Sequence, residues 1–205
     1  MKIILENIGR RFNREWIFRN VNYTFENDRS YAILGANGSG KSTLLQVISG
    51  SLTSSEGTLC YRQNDITIDI ENIFPELSLA APYLDLIEEF SLSEHIDFHF
   101  QFKKYRDGYD KKALISLLNL QQSEHKSLKY FSSGMKQRVK LALAFCSDTR
   151  VLLLDEPTSN LDLQGVEWYL SLIRQFSKDR LVIVCSNQEH EYAFCEDKIV
   201  VTDYK

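Results

Sequence analysis

The sequence predicts an α/β fold with a parallel-sheet core, a small antiparallel β lobe and a helical insertion. Three observations predict it. The apolar strand Tyr31-Ala32-Ile33-Leu34 runs into the glycine-rich stretch Gly35-Ala36-Asn37-Gly38-Ser39-Gly40-Lys41-Ser42, followed by an amphipathic helix through Thr43, Leu44, Leu45, Val47 and Ile48 that Gly50 closes. Two further runs, Val151-Leu152-Leu153-Leu154 and Leu181-Val182-Ile183-Val184-Cys185, have the unbroken apolar character of strands buried on both faces. Helical patterns from about Ser133 to Cys146 and again after Leu161 separate these runs, which is the alternation a parallel sheet requires.

The remaining elements follow in chain order. Ile3-Ile4-Leu5 and Val21-Asn22-Tyr23-Thr24-Phe25 read as antiparallel strands on either side of a basic aromatic segment, and 57–61 and 66–73 read as further strands of the same lobe. From Leu84 to about Lys129 the pattern turns helical and aromatic, with Phe98, Phe100, Phe102 and Tyr105 close together, so the helical sub-lobe is expected over roughly 84–147. The chain has 205 residues, 43% of them hydrophobic, and only three prolines and nine glycines. That is enough for one sizeable core, without a linker, repeat or low-complexity tract to divide it.

Charge and cysteine usage narrow the partners. A net charge of -4 argues against a general nucleic-acid binder. No apolar run approaches the roughly 20 residues of a membrane-spanning helix, and Glu6 comes too early for a signal peptide, so a cytosolic chain is expected. Cys60, Cys146, Cys185 and Cys195 are scattered and read as reduced, packed thiols.

The stretch Gly35 to Ser42 has the form G-x-x-x-x-G-K-[ST], a phosphate cradle. Its glycines let backbone N–H groups turn inward around phosphate oxygens, and the helix N-terminus adds a positive dipole. Lys41 places a charge on the β- and γ-phosphates, and the Ser42 hydroxyl suits Mg²⁺. The strand at Val151 ends in Asp155-Glu156-Pro157, two carboxylates at the carboxyl edge of the sheet. Asp155 is the candidate metal ligand, and Glu156 is the candidate acceptor from an attacking water. Between them, Ser132 and Ser133 read as the cap of a helix whose Gly134 permits close approach of another molecule.

The order of phosphate loop, helical insertion, Ser-Ser-Gly helix start, strand with Asp-Glu, and Ser159-Asn160-Leu161-Asp162 resembles the ATP-binding subunits of ABC transporters over nearly the whole chain. The resemblance implies a P-loop NTPase of ABC type that binds ATP and Mg²⁺. In that family Phe131-Ser132-Ser133-Gly134-Met135 corresponds to a signature usually written Leu-Ser-Gly-Gly-Gln; Ser132 and Gly134 match, and Phe131, Ser133 and Met135 depart. Head-to-tail dimerisation is implied, with Ser132, Ser133 and Gly134 facing the γ-phosphate on a second nucleotide-binding domain and Asp162 communicating between the two sites. Phe12 stands where the family places an adenine-stacking aromatic, with Trp16 as the competitor.

Two departures stand out. The family's glutamine at the entrance to the helical lobe is missing, since the place reads Ala80-Ala81-Pro82-Tyr83-Leu84. The switch histidine is replaced by Asn187, whose amide can donate to a γ-phosphate oxygen without carrying charge, while His190 lies one helical step further on. The resemblance further implies a separate transmembrane permease, a place on the cytoplasmic face of the membrane and a compact exporter-type subunit. A soluble ABC-type ATPase, or a nucleotide-gated module, is the alternative.

Overall fold

A computed structural model describes residues 1–64 and 66–205. Among these, two sheets form. The first has the order β2-β1-β4-β5 and is antiparallel, from β1 (Lys2–Phe12), β2 (Glu15–Phe25), β4 (Glu56–Gln63) and β5 (Ile66–Ile68). The second has the order β6-β7-β8-β3-β9 and is parallel, from β3 (Ser30–Leu34), β6 (Leu77–Ala80), β7 (Val151–Asp155), β8 (Leu181–Cys185) and β9 (Asp197–Val200). The helices are α1 (Lys41–Ile48), α2 (Leu92–His99), α3 (Lys111–Leu118), α4 (Ser133–Cys146), α5 (Leu163–Phe176) and the short α6 (Glu189–Tyr192).

The parallel sheet is covered on both faces, which explains the continuous apolar runs. Leu153, Ile183 and Ile33 pack with Leu44, Leu45 and Ile48 of α1 on one side. Leu152, Leu154, Val182 and Val184 pack on the other with Phe145 of α4 and Tyr169 and Leu172 of α5. Each such side chain contributes about 1.5–3 kcal/mol by leaving water.

Several elements differ from the sequence expectation. β1 and β2 extend through the basic aromatic segment into one hairpin, because register shifts after Leu5 and a left-handed Asn7 place Ile8 and Gly9 both inside and break the alternation. The strand expected over 66–73 stops at Ile68 and gives way to a 3-10 turn at Ile70–Asn72. Ile66 is 71% exposed on this sheet edge, so no burial holds the strand further. The region from Leu84 to Lys129 is two eight-residue helices rather than a continuous pattern. Ser91 and Glu94 form a capping box for α2, and Asp110 caps α3, which a left-handed Asn119 ends. Sequence reasoning missed β6, four residues on the flank of β7.

Arg180, just before β8, ties the far end of α4 to the sheet. Its guanidinium is 1% exposed and donates to the carbonyls of Phe145 (3.1 Å), Ser147 (2.8 Å) and Thr149 (2.7 Å), and to the hydroxyls of Ser78 and Thr149. Burial pulls its pKa down to about 9. The acceptors are neutral, and two of them are carbonyls at the negative end of the α4 dipole.

Candidate functional site

The site lies along the carboxyl edge of the parallel sheet. Registers level Ile33 with Cys185 and Cys185 with Asp155, so the loop after β3 and the acids after β7 face each other across the intervening β8. At the spacing of neighbouring strands that is about 10 Å.

The loop is built by backbone that glycine alone adopts without strain: Gly35, Gly38 and Gly40 have φ of 149°, 77° and 105°. A Cβ on Gly35 would sit 2.5 Å from Ser39 Oγ, and one on Gly40 would collide with Ile17. Gly40 caps α1 without a side chain, leaving first-turn N–H groups to face the loop. Lys41 is buried, and its Nζ donates back to the carbonyls of Gly35 (2.8 Å) and Ala36 (3.3 Å). The Ser39 hydroxyl is buried without a partner. A positive end on weak neutral acceptors, an orphaned hydroxyl and inward N–H groups together fit a polyphosphate.

Asp155 ends β7 at 1% exposure, and neither carboxylate oxygen has a hydrogen-bond partner. Burial pushes its carboxyl up to about 6. Ser42 opposes that rise from α1 without reaching hydrogen-bond geometry, and the Lys41 charge opposes it more weakly. Two orphaned oxygens beside a hydroxyl form a donor set of the kind Mg²⁺ takes when phosphates and water complete its shell. Glu156 is exposed, with a left-handed φ of 40° and its N–H on the Cys185 carbonyl at 2.9 Å. Lys41, Ser42, Thr43 and Glu156 line one cleft of about 220 Å³ with Asn37 and Ile17. Sequence reasoning missed Ile17; its signal is a β-branched residue one position before the inward-facing Phe18.

The other expected residues are placed differently. Asn187 reaches the loop, its Nδ2 donating to Asn37 Oδ1 at 2.7 Å. His190 contacts Thr158 Oγ1 at 3.2 Å instead, so it does not stand in for the switch histidine. Phe12 is 45% exposed at the end of β1, with the Arg10 guanidinium 4.6 Å over one ring face. It does not line the cleft. Trp16 lies under both Arg11 and Arg19, at 5.4 and 4.2 Å.

Ser132, Ser133 and Gly134 open α4 away from this cleft, the two serines exposed and Ser132 accepting from Met135 N at 3.2 Å. A Cβ on Gly134 would lie 2.9 Å from the Asn160 carbonyl, so the close approach it allows is within this chain. Asp162 caps α5, accepting from Gly165 N at 2.8 Å. Where the family glutamine is missing, Lys140 of α4 donates to the carbonyls of Ala81 (3.4 Å) and Pro82 (2.8 Å). The Tyr83 phenol is pushed up to about 12, by burial first and by the Asp155 charge second.

A glycine-rich loop between β3 and α1, facing an acidic strand end on the same sheet edge, defines a P-loop ATPase domain. A family model for ABC transporters matches residues 18–159. The chain belongs to that family. It is 29% identical over 186 residues to the uncharacterized ABC transporter ATP-binding protein YybJ of Bacillus subtilis, covering 90% of this chain and 84% of that one. The fold is similar to the dimeric structure of the bacterial ABC transporter cassette MJ0796, with a TM-score of 0.82 at 22% identity over 97% of this chain and 94% of that one. It is also similar to a bacterial Atm1-family ABC exporter with ATP bound, with a TM-score of 0.80 at 19% identity over 97% of this chain and 37% of that one. Among the described residues, no helix is long and apolar enough to cross a membrane.

Proposed function

We propose that this chain is an ATP-hydrolysing subunit that closes head to tail on a second nucleotide-binding domain and thereby drives a separate membrane-embedded permease from its cytoplasmic face. The convergence of Lys41, Ser42, Asp155 and Glu156 on one sheet edge carries the reading. In this assignment the loop amides and Lys41 hold the β- and γ-phosphates, and Asn187 exchanges Asn37 for a γ-phosphate oxygen. Ser42 and Asp155 hold Mg²⁺, which supplies positive charge against the phosphates when bound. Glu156 accepts the proton of a water that attacks the γ-phosphorus in line, as the bond to the bridging oxygen breaks and ADP leaves. Phe12 offers its uncovered face to adenine, a better platform than the doubly covered Trp16.

Pairing is supported by the exposed face that carries Ser132, Ser133 and the Asp162 turn, next to Leu163 at 85% exposure and Tyr130 at 63%. A permease is supported by the groove of about 370 Å³ between the lobes, lined by Phe74, Leu77, Leu84, Leu86 and Leu143, with Phe102 exposed nearby. The test is turnover of the chain beside Glu156→Gln, with light scattering in the presence and absence of ATP. Turnover by the wild type, with a non-hydrolysing variant that dimerises on ATP, is the expected result. Absence of both turnover and dimerisation sinks the homodimeric reading. Co-fractionation with membranes only when a multi-span partner is co-expressed tests the second half.

A further inference from the structure

We propose that Glu191 is a positioning residue that clamps the loop after β7 to the loop after β8 and so holds Glu156 and Asn187 in register. This rests on the hydrolytic reading above. Glu191 is fully buried, and among the described residues no lysine or arginine forms an ion pair with it. Its carboxylate is held by neutral donors alone. Oε1 accepts from Thr158 N at 2.7 Å and from the Thr158 hydroxyl, and Oε2 accepts from the Ser186 hydroxyl.

A buried carboxylate without a cation is stable only when its donors saturate it. Here the donors come from two different loops, so the charge is satisfied only when both loops are in place. Each loop carries a residue assigned to the reaction. Thr158 follows Glu156 by two positions, and Ser186 immediately precedes Asn187. The network continues outward on both sides. Gln188 N donates to Ser186 Oγ at 2.8 Å. The single proton of the Thr158 hydroxyl goes to Glu191, so the hydroxyl accepts from His190 Nε2 at 3.2 Å, which gives His190 its tautomer. Glu191 is itself fixed, its carbonyl accepting from the Tyr169 hydroxyl at 2.8 Å and its N–H donating to Gln188 O at 3.0 Å.

The backbone at Glu156 is where such a clamp has an effect. A glutamate at a φ of 40° is in a sparsely populated region, and that conformation persists only when its surroundings over-determine it. On one side its N–H is bonded to Cys185 of β8, and on the other Ser159 N donates to its carbonyl at 3.0 Å. Between them Thr158 gives both of its donors, its N–H and its hydroxyl, to Glu191. Misplacement of a reacting group by even one ångström is costly to turnover, and Glu191 prevents that misplacement for Glu156 and Asn187 together.

The test combines amide hydrogen exchange in the nucleotide-free protein with steady-state ATP turnover, for wild type, Glu191→Gln and Ser186→Ala. In Glu191→Gln we expect the amides of Glu156, Thr158 and Gln188 to exchange about tenfold faster while Leu44 in α1 is unchanged, with kcat about tenfold lower and KM within about twofold. Ser186→Ala cuts one arm and should release Gln188 while Thr158 stays protected. Faster exchange with an unchanged kcat overturns the proposal. So does a loss in which α1 exchange and KM move in step with kcat, since that is general loosening. If the wild type itself fails to turn over, the hydrolytic reading fails, and exchange at Glu156 and Gln188 alone decides whether the clamp exists.

Discussion

Replacing Asn187 by alanine tests the neutral switch proposed for it. In the nucleotide-free chain its amide already has a partner, Asn37 Oδ1 at 2.7 Å, in an exposed position. An exposed neutral hydrogen bond contributes about 0.5–1 kcal/mol, and one to a charged oxygen about 1.5–3 kcal/mol. Moving from Asn37 to a γ-phosphate oxygen therefore yields a net of about 1–2 kcal/mol, or roughly 5- to 30-fold in rate. Asn187→Ala should lower kcat by that factor in a phosphate-release assay and leave the fold intact. Asn37→Ala, which frees the amide beforehand, should tighten ATP binding modestly and not weaken it. A loss beyond about a thousandfold in Asn187→Ala would refute the reasoning, because no single neutral donor supplies that much. So would weaker ATP binding in Asn37→Ala that Asn187→Ala reproduces, since the pair would then be part of the phosphate cradle itself.

Other outcomes follow from the same geometry. Asn187→His should introduce a step in the pH–rate profile near 6.5, the ordinary histidine range, that the wild type lacks. Gly134→Ala, whose methyl would meet the Asn160 carbonyl at 2.9 Å, should lower ATP-dependent dimerisation while nucleotide binding by the monomer, measured by calorimetry, is unchanged. Arg180→Met leaves the buried carbonyls of Phe145 and Thr149 without donors, takes one of two from Ser147 and relieves one buried charge, a net loss of about 2 kcal/mol that should lower Tm by roughly 4–8 °C. His99, bonded to Ser147 Oγ at 3.0 Å, is pulled down to about 4 by burial, helped by the Lys103 and His95 charges. The unfolded chain then binds more protons than the folded one between about pH 6.5 and 4, so stability falls as pH drops through that window. In urea titrations His99→Gln should flatten this slope, and an unchanged slope would show that His99 does not cause it.

The parts of the fold legible in the sequence are those where one physical requirement repeats over neighbouring residues. Burial on both faces makes β3, β7 and β8 continuously apolar, and the phosphate loop announces itself because glycine conformations and a following helix must coincide. β6 was hidden because four residues are too few to show a period. The full length of β1 was hidden because the irregular register near Asn7 reverses which residues face inward. The departures at the glutamine and histidine positions were visible as substitutions, but the contacts made there were not. The Asn37 to Asn187 contact joins positions 150 apart, and the Thr158 to Glu191 contact joins positions 33 apart, with no local pattern to betray either. The contact of His190, one helical step beyond Asn187, with Thr158 joins positions 32 apart and was equally hidden.

Arg180 and α4 together have the form of a lever. The helix has 14 residues, so it is about 21 Å long, with the Ser132 cap at one end and the guanidinium pinning the other. With its base fixed to the roots of β7 and β8, a tilt of the helix about that pin would move its capped end the furthest. A tilt of about 5° at the pin carries the capped end by roughly 2 Å, which is most of the length of a hydrogen bond. Small angular changes set at the floor of the sheet are thus magnified where Ser132, Ser133 and Gly134 sit, and the length of the helix sets the gain.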